Sequence, residues 1–258
     1  MKRTETKPDL SLFPCELQKL FEGAKVFDSS SSPEARVYFI DKDGGYYLKT
    51  GAKSALSREA ELTRYFHSKN LAPEVLAYIS RERDFMLTRR VRGEDMTHAQ
   101  YLAEPKRLCD LSASLLRELH ETDFSACPVR DHTARYLETA RKNRENGAHD
   151  LSFSPEFSTA DEAYAYLTAN AGLLKNEVLL HGDYCLPNVM LDGWRFAGFI
   201  DVGNGGVGDR HVDLFWGAWT LCFNLGTDAY RSRFLDAYGR DKAEEEKLRI
   251  IAAAEVFG

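Results

Sequence analysis

His181-Gly182-Asp183-Tyr184-Cys185-Leu186-Pro187-Asn188, followed after a short gap by Gly198-Phe199-Ile200-Asp201-Val202-Gly203, is the stretch from which the rest of this chain is read. Glu177-Val178-Leu179-Leu180 reads as a short buried strand running into the first segment. Arg195-Phe196-Ala197-Gly198-Phe199-Ile200 reads as a second strand running into Asp201, with Asp192-Gly193 as the hairpin turn before it. Both acids, Asp183 and Asp201, therefore emerge at strand ends, with the amide of Asn188 five residues after Asp183.

That arrangement suits phosphoryl transfer, which needs little covalent help and much placement and charge neutralisation around a metal-bound triphosphate. An acid beside the acceptor hydroxyl orients it and takes its proton. In the loop pattern H-R-D-x-x-x-x-N the Asp does this, and the Asn reaches a magnesium ion. Here Gly182 stands in place of the Arg. The Asp of a D-F-G segment completes the metal site from a later strand, and Asp201 in Asp-Val-Gly holds that place. A lone Asp-x-Gly is usually an ordinary turn; its joint occurrence with the first segment, each after a strand, favours the chemical reading. Magnesium takes a few oxygen ligands, phosphates and water.

With 258 residues the chain is long enough for one large domain or two lobes. A formal net charge of −6 argues against nucleic acid as the main partner and leaves room for a cationic small-molecule acceptor. Five scattered cysteines, never in a C-x-x-C pair, point to a reduced, cytoplasmic setting. No apolar run reaches the ~20 residues that span a bilayer, and no signal-like core follows the first residues, so no membrane association is expected.

Toward the N-terminus, Ser29 to Ser32 precede Glu34–Ile40, and Asp41 to Gly45 turn the chain into Tyr46–Thr50, a hairpin of aromatic and β-branched runs. The small polar residues before it either bring N–H groups and hydroxyls onto phosphate oxygens or form a surface loop. Lys49 is placed to neutralise the α- and β-phosphates. Its partner is read as Glu59, on a helix from Ser57 to Ser68 with Leu56, Leu62 and Phe66 as apolar positions, while Glu61 faces elsewhere. Asp84–Arg89 reads as a further strand, and Val91-Arg92-Gly93-Glu94 as the exit from it, the hinge of a two-lobed kinase.

After Gly93 the periodicity becomes helical: Lys106–His120 carries Leu108, Leu111, Leu115, Leu116 and Leu119, and 161–174, 213–225 and 242–254 are further helices. The expected fold is α+β: a small β-rich N-terminal nucleotide-binding lobe, residues 1–91, and a larger, mainly helical C-terminal catalytic and acceptor-binding lobe, residues 92–258.

Taken together, the chain resembles the aminoglycoside phosphotransferases, particularly the group that phosphorylates the 3′-hydroxyl. The motifs His-Gly-Asp-x-Cys-Leu-Pro-Asn, Gly-Phe-Ile-Asp and Gly-Val-Gly-Asp209-Arg210-x-x-Asp213 carry the match, with weaker agreement around Ser32-Pro33, Lys49, Glu59, Leu71-Ala72-Pro73 and the C-terminal helix. The resemblance implies a protein-kinase-like fold with ATP or GTP as co-substrate in the cleft between lobes and two magnesium ions. Asp183 would position the acceptor hydroxyl, Asn188 and Asp201 would hold metal, and Lys49, oriented by Glu59, would hold phosphates. Ser31 or Ser32 would touch the β-phosphate, Tyr47 would stack on the adenine with Ile200 on its other face, and the backbones of Arg89 and Val91 would form the hinge bonds. Arg210 and Asp213 are read as support for the catalytic loop, His181 as its brace, His120 and His211 as structural, and Cys185 as a packed thiol without a base partner.

The acceptor side departs from the family pattern. Carboxylates that would receive ammonium groups are sparse: Trp219-Thr220 stands where the 3′ group tends to have Arg-Asp, Asn204 replaces an expected Arg, and the end reads Ala254-Glu255-Val256-Phe257-Gly258. Glu255, with Asp150 and Glu156 more loosely, remains a candidate ammonium partner, and Trp219 a wall of a more apolar pocket. An aminoglycoside stands first as acceptor and another small hydroxylated metabolite or antibiotic second; a non-catalytic nucleotide-binding module, which would lack a metal ligand or the phosphate Lys, is the remaining alternative.

Overall fold

In the strand Tyr46–Ala52 the side chains alternate between two environments, and that alternation organises the N-terminal part of the molecule. Tyr46 and Leu48 join Val26, Ile40, Phe85 and Leu87 in an apolar core closed by Phe13, Leu17 and Phe21. Tyr47 and Lys49 point to the opposite face. The computed structural model describes residues 3–30 and 35–258. These fall into two units, one comprising the described residues up to Asp95 together with Val189–Gly203, the other Met96–Asn188 with Asn204–Gly258.

In the first unit, neighbouring strands run in the order Thr4–Glu5, Lys25–Asp28, Arg36–Asp41, Tyr46–Ala52, Arg83–Arg89 and Val75–Ser80, each pair antiparallel. The hairpin expected over Glu34–Ile40 and Tyr46–Thr50 is present, extended to Asp41 and Ala52; Glu34 lies outside the described residues. Val75–Ser80 is a strand that local sequence does not announce: Val75 to Ile79 are all half-buried, without alternation, and pairing with Arg83–Arg89 makes it one. Helix Ser57–Ser68 forms as read, with Leu56 and Ala60 packed on Met86. Buried Asp84 receives the N–H groups of Ser54 and Leu56, each at 2.9 Å, and fixes the turn that launches this helix. A smaller sheet joins Glu94–Asp95, Val189–Asp192 and Arg195–Phe199, the last pair turning at Asp192-Gly193.

The second unit is mainly helical: Pro105–His120, His132–Glu145, Ala160–Asn170, His211–Leu225, Arg231–Gly239 and Glu245–Glu255. Leu108, Leu115, Leu116 and Leu119 are buried as their spacing predicts. Three ends differ from expectation by two residues or more. The helix read as ending at residue 174 stops at Asn170 and passes into a 3-10 turn, Ala171–Leu173, around Gly172. The helix read from Asp213 begins at His211, and the one read from Lys242 begins at Glu245 after a 3-10 turn at Arg240–Lys242. His132–Glu145 gives no clear helical signal in the sequence because only His132 and Ala140 are buried along it, too few for an apolar stripe. Two short strands, Val178–Leu180 and Gly206–Gly208, pair antiparallel. Among the described residues no helix is long and apolar enough to cross a membrane.

Candidate active site

The first unit assembles one charged cluster. Lys49 Nζ donates to Glu59 Oε1 and Oε2 at 2.9 and 2.8 Å and to Asp201 Oδ1 at 2.8 Å. Glu59, in the first turn of its helix, is buried, whereas Glu61 is exposed, so the helix itself selects between the two acids. Burial pushes the Lys49 ammonium down, but Asp201 and Glu59 more than offset it and hold the pKa above the ordinary value. For Glu59, burial and the Asp201 charge outweigh Lys49 and raise the carboxyl. Asp201 sits just past the strand Arg195–Phe199 with φ 59°, a left-handed conformation uncommon for a residue with a side chain. Its side chain is 50% exposed. Two carboxylates around one ammonium leave a net negative charge beside a solvent-facing oxygen donor, a setting that fits a hard divalent cation.

The other sequence-read positions of this unit fall around that cluster or apart from it. Tyr47 shares the face of Lys49 and packs against Phe39, ring centroids 5.2 Å apart. Ile200 immediately precedes Asp201 and is half-buried. Arg89 donates its backbone N–H to the Glu74 carbonyl, and its guanidinium lies 3.7 Å from the Glu74 carboxylate. Arg89 and Val91 also line a cleft with Arg90, Arg92 and Arg195; neither Lys49, Tyr47 nor Asp201 borders it. Ser31 and Ser32 lie outside the described residues.

The second unit holds the loop from His181 to Asn188. Asn188 Nδ2 donates to Asp183 Oδ2 at 2.8 Å and to the Asp183 carbonyl at 3.0 Å, which leaves the Asn188 amide oxygen, a hard-cation ligand, outside that bond. The loop is hung from Asp213: its two oxygens accept the N–H groups of His181 at 2.7 Å and Gly182 at 2.8 Å, and His120 Nε2 meets it at 3.1 Å. Burial would raise the Asp213 carboxyl, yet His120, His181 and the Gly182 N–H hold it below its ordinary value. Burial keeps His120 below its usual range, so the ring is neutral. A carboxylate only accepts, which places the ring proton on Nε2 and leaves Nδ1 to accept from Tyr238 Oη at 2.7 Å. Arg210 donates to Glu177 at 2.7 Å and to Tyr238 Oη at 3.3 Å. Its support of the loop is therefore relayed through Tyr238 and His120, whereas that of Asp213 is direct.

Gly182, where the motif has Arg, answers a backbone need. Its φ is 82°, and a Cβ there would lie 2.2 Å from the Asn204 carbonyl oxygen. His181 is buried and its Nδ1 accepts the Asp183 N–H at 3.3 Å, a brace for the loop. His211 bonds Asp209 and the Glu244 N–H. Burial and the Asp183 charge push the Cys185 thiol well above its usual range, so it stays protonated.

Of the acceptor candidates, Glu255 is closest in character to a functional group. It is 7% exposed; Tyr136 Oη donates to its Oε1 at 2.6 Å and Trp216 Nε1 at 2.9 Å. Burial lifts its carboxyl to about 7 against those two bonds, and the Asp183 charge adds to the rise. Neither Tyr136 nor Trp216 stands out in the sequence, where nothing local marks them as partners of a residue at the far end of the chain. Trp219 stacks on Phe223, centroids 5.0 Å apart and planes 13° apart, and meets Phe153 and Trp216 at 5.4 Å. Asp150 is exposed and accepts the Ser152 N–H, and Glu156 is exposed.

A family model described as the phosphotransferase enzyme family matches residues 25–251. A probable aminoglycoside 3′-phosphotransferase from Lactococcus lactis subsp. lactis (strain IL1403) is 50% identical over 257 residues, 98% of this chain and 98% of the relative. Among solved structures, an aminoglycoside-3′-phosphotransferase of type VIII superposes with a TM-score of 0.74 at 25% identity, covering 90% of this chain and 91% of that one. A Streptomyces rimosus aminoglycoside phosphotransferase in complex with ADP and streptomycin gives 0.69 at 25% identity, covering 86% and 91%. The α+β, protein-kinase-like fold class expected from the sequence is the one these structures share.

Proposed function

The chain belongs to the phosphotransferase enzyme family, among the aminoglycoside phosphotransferases, and from that membership we propose that it moves the γ-phosphate of ATP or GTP to the 3′-hydroxyl of an aminoglycoside, so conferring resistance. The observation that carries this reading is the Lys49 ammonium held at 2.8 Å by both Glu59 and Asp201. A cation so placed and so oriented is what a triphosphate requires for binding.

In this reading Asp183 accepts the hydrogen bond of the acceptor hydroxyl and takes its proton as the phosphoryl group arrives. Asn188 keeps the Asp183 carboxylate in one orientation, and Asp213 fixes the backbone that carries it. Lys49 neutralises α- and β-phosphate oxygens while Glu59 holds it in place. Tyr47 and Ile200 take the faces of the base, the backbones of Arg89 and Val91 its edge, and Ser31 or Ser32 the β-phosphate. Asn188 and Asp201 would hold two magnesium ions, which supply charge neutralisation on the phosphates when bound. Glu255 receives an acceptor ammonium, with Asp150 and Glu156 as outer partners.

A coupled assay with magnesium, ATP or GTP, and kanamycin tests the proposal. Turnover with kanamycin and none with a 3′-deoxy aminoglycoside is the expected result; equal turnover of both would reject 3′ transfer. A second acceptor class, a less cationic hydroxylated molecule, is favoured by the cluster of rings that Phe153, Trp219 and Phe223 form, Phe223 being 70% exposed. A Trp219→Arg, Thr220→Asp double variant should then change acceptor preference across a panel, and unchanged kinetics would remove Trp219 from the acceptor wall. The free state of all five cysteines accords with a cytoplasmic setting, which we propose for the enzyme.

A further inference from the structure

Strand pairing in the first unit sets Glu5, Phe27, Phe39, Tyr47 and Thr88 in one row across the sheet. Tyr47 shares its face with Lys49, two residues on, and this is the face opposite the core around Ile40 and Leu48. Arg3 reaches the same row from the edge. It leads into the strand Thr4–Glu5, where Thr4 pairs with Asp28, and its guanidinium carbon lies 3.9 Å above the centre of the Phe39 ring and 5.7 Å from that of Tyr47. Arg3 Nη2 donates to Tyr47 Oη at 2.6 Å. Arg90 lies over Phe39 as well, at 5.6 Å. Phe39 is 3% exposed even though it stands on the face away from the core.

A lone surface arginine spends its time among many rotamers. Arg3 is restrained twice, by a ring beneath its plane and by a hydroxyl at its tip, and a short strand holds its backbone. The hydroxyl of Tyr47 is restrained in return. A phenol ring that stacks on a base must present one plane, and a ring already ordered before the ligand arrives loses less conformational freedom on binding. Arg3 is thus built into the nucleotide face by geometry, though nothing in its sequence surroundings marks it.

We propose that Arg3 is a positioning residue for the nucleotide: through its bond to the Tyr47 hydroxyl it holds the Tyr47 ring in the orientation that receives the base. This rests on the reading of Tyr47 as the base-stacking residue given above. It assigns the N-terminal segment to the nucleotide-binding apparatus.

The test is a double-mutant cycle in steady-state kinetics with ATP as the varied substrate, using Arg3→Ala, Tyr47→Phe and the double variant in the full chain, with thermal unfolding recorded for each. Arg3→Ala is expected to raise the KM for ATP about 3- to 10-fold while kcat at saturating ATP changes less than about twofold, the split that marks lost ground-state binding. Tyr47→Phe, which keeps the ring and loses the hydroxyl, should give a similar rise. Adding Arg3→Ala to it should cost less than about twofold more, because the shared bond is already gone. Arg3→Lys retains the charge without the planar fork and should recover the KM only in part. Equal effects of Arg3→Ala in the wild-type and Tyr47→Phe backgrounds would overturn the inference and make Arg3 act independently of the hydroxyl. An unchanged KM in Arg3→Ala, alongside a raised KM in Tyr47→Ala, would overturn the inference alone. An unchanged KM in Tyr47→Ala would instead remove Tyr47 from the base site, and the inference with it.

Discussion

The Asn188 side-chain amide donates to the Asp183 carboxylate at 2.8 Å, so the acid assigned to the acceptor hydroxyl is held in one orientation by a residue of its own loop. Asp183→Asn removes the base and sets an amide against an amide. It should lower kcat by about 10²- to 10⁴-fold, the contribution of a positioned base, with little change in thermal midpoint. Full activity in that variant ends the assignment of Asp183 as base.

Lys49→Met leaves the Glu59 and Asp201 carboxylates facing each other without the ammonium between them. Loss of a preorganised cation at the phosphates should cost at least about 10²-fold in kcat/KM. The stability effect has a defined pH sign. Burial and Asp201 already raise the Glu59 carboxyl above its unfolded value, and removing Lys49 raises it further. A raised carboxyl contributes stability at low pH that is lost as pH rises, so the variant should match the wild type most closely at pH 5 and fall behind it by pH 8. Urea midpoints at the two pH values decide the matter; a constant difference rejects the coupling.

Gly182→Ala tests whether the position is reserved by the backbone. A side chain would have to adopt φ 82° and bring its Cβ to 2.2 Å from the Asn204 carbonyl oxygen. Strain and displacement together should destabilise the protein by about 2–5 kcal/mol and disorder the loop carrying Asp183. A loss below about 0.5 kcal/mol in chemical unfolding shows that the clash relaxes freely.

Glu255 carries a pH signature of its own. Its folded carboxyl titrates at about 7 against an ordinary value of 4.5, with burial as the main cause. Because the folded value is the higher one, stability is greatest below the unfolded pKa and declines as pH rises toward 7, by roughly 3 kcal/mol at most. Glu255→Gln should abolish this decline, as measured by urea unfolding at pH 5 and pH 8. The ionised form is the one that attracts an ammonium group, so the KM of a cationic acceptor should fall between pH 6 and pH 8 in the wild type and stay level in Glu255→Gln. Parallel KM profiles for the two proteins would take Glu255 out of the acceptor site.

Local sequence carried the loop chemistry because spacing along a chain becomes geometry where a strand ends in a turn. Asp183 and Asn188 sit five residues apart on one loop, and they touch. The alternation in Tyr46–Ala52 likewise sends Lys49 away from the core, whatever the rest of the molecule does. The choice of Glu59 over Glu61 was also legible, since a helix cannot turn both toward one strand. Where elements lacked an apolar stripe, as in His132–Glu145, or the alternation of a strand, as in Val75–Ser80, pattern reading missed them.

By itself, then, the sequence determined which groups are on offer, the carboxylates of Asp183 and Asp201, the Asn188 amide and the Lys49 ammonium, each placed by short-range periodicity. Tertiary structure alone decided which groups are held and which are poised. Asp213 reaches back to receive the His181 and Gly182 N–H groups, Tyr136 and Trp216 enclose Glu255, and Arg3 meets Tyr47. The physical reason is that desolvation and hydrogen bonding depend on which atoms packing brings together, and partners such as Tyr136 and Glu255, 119 residues apart, have no spacing rule to announce them.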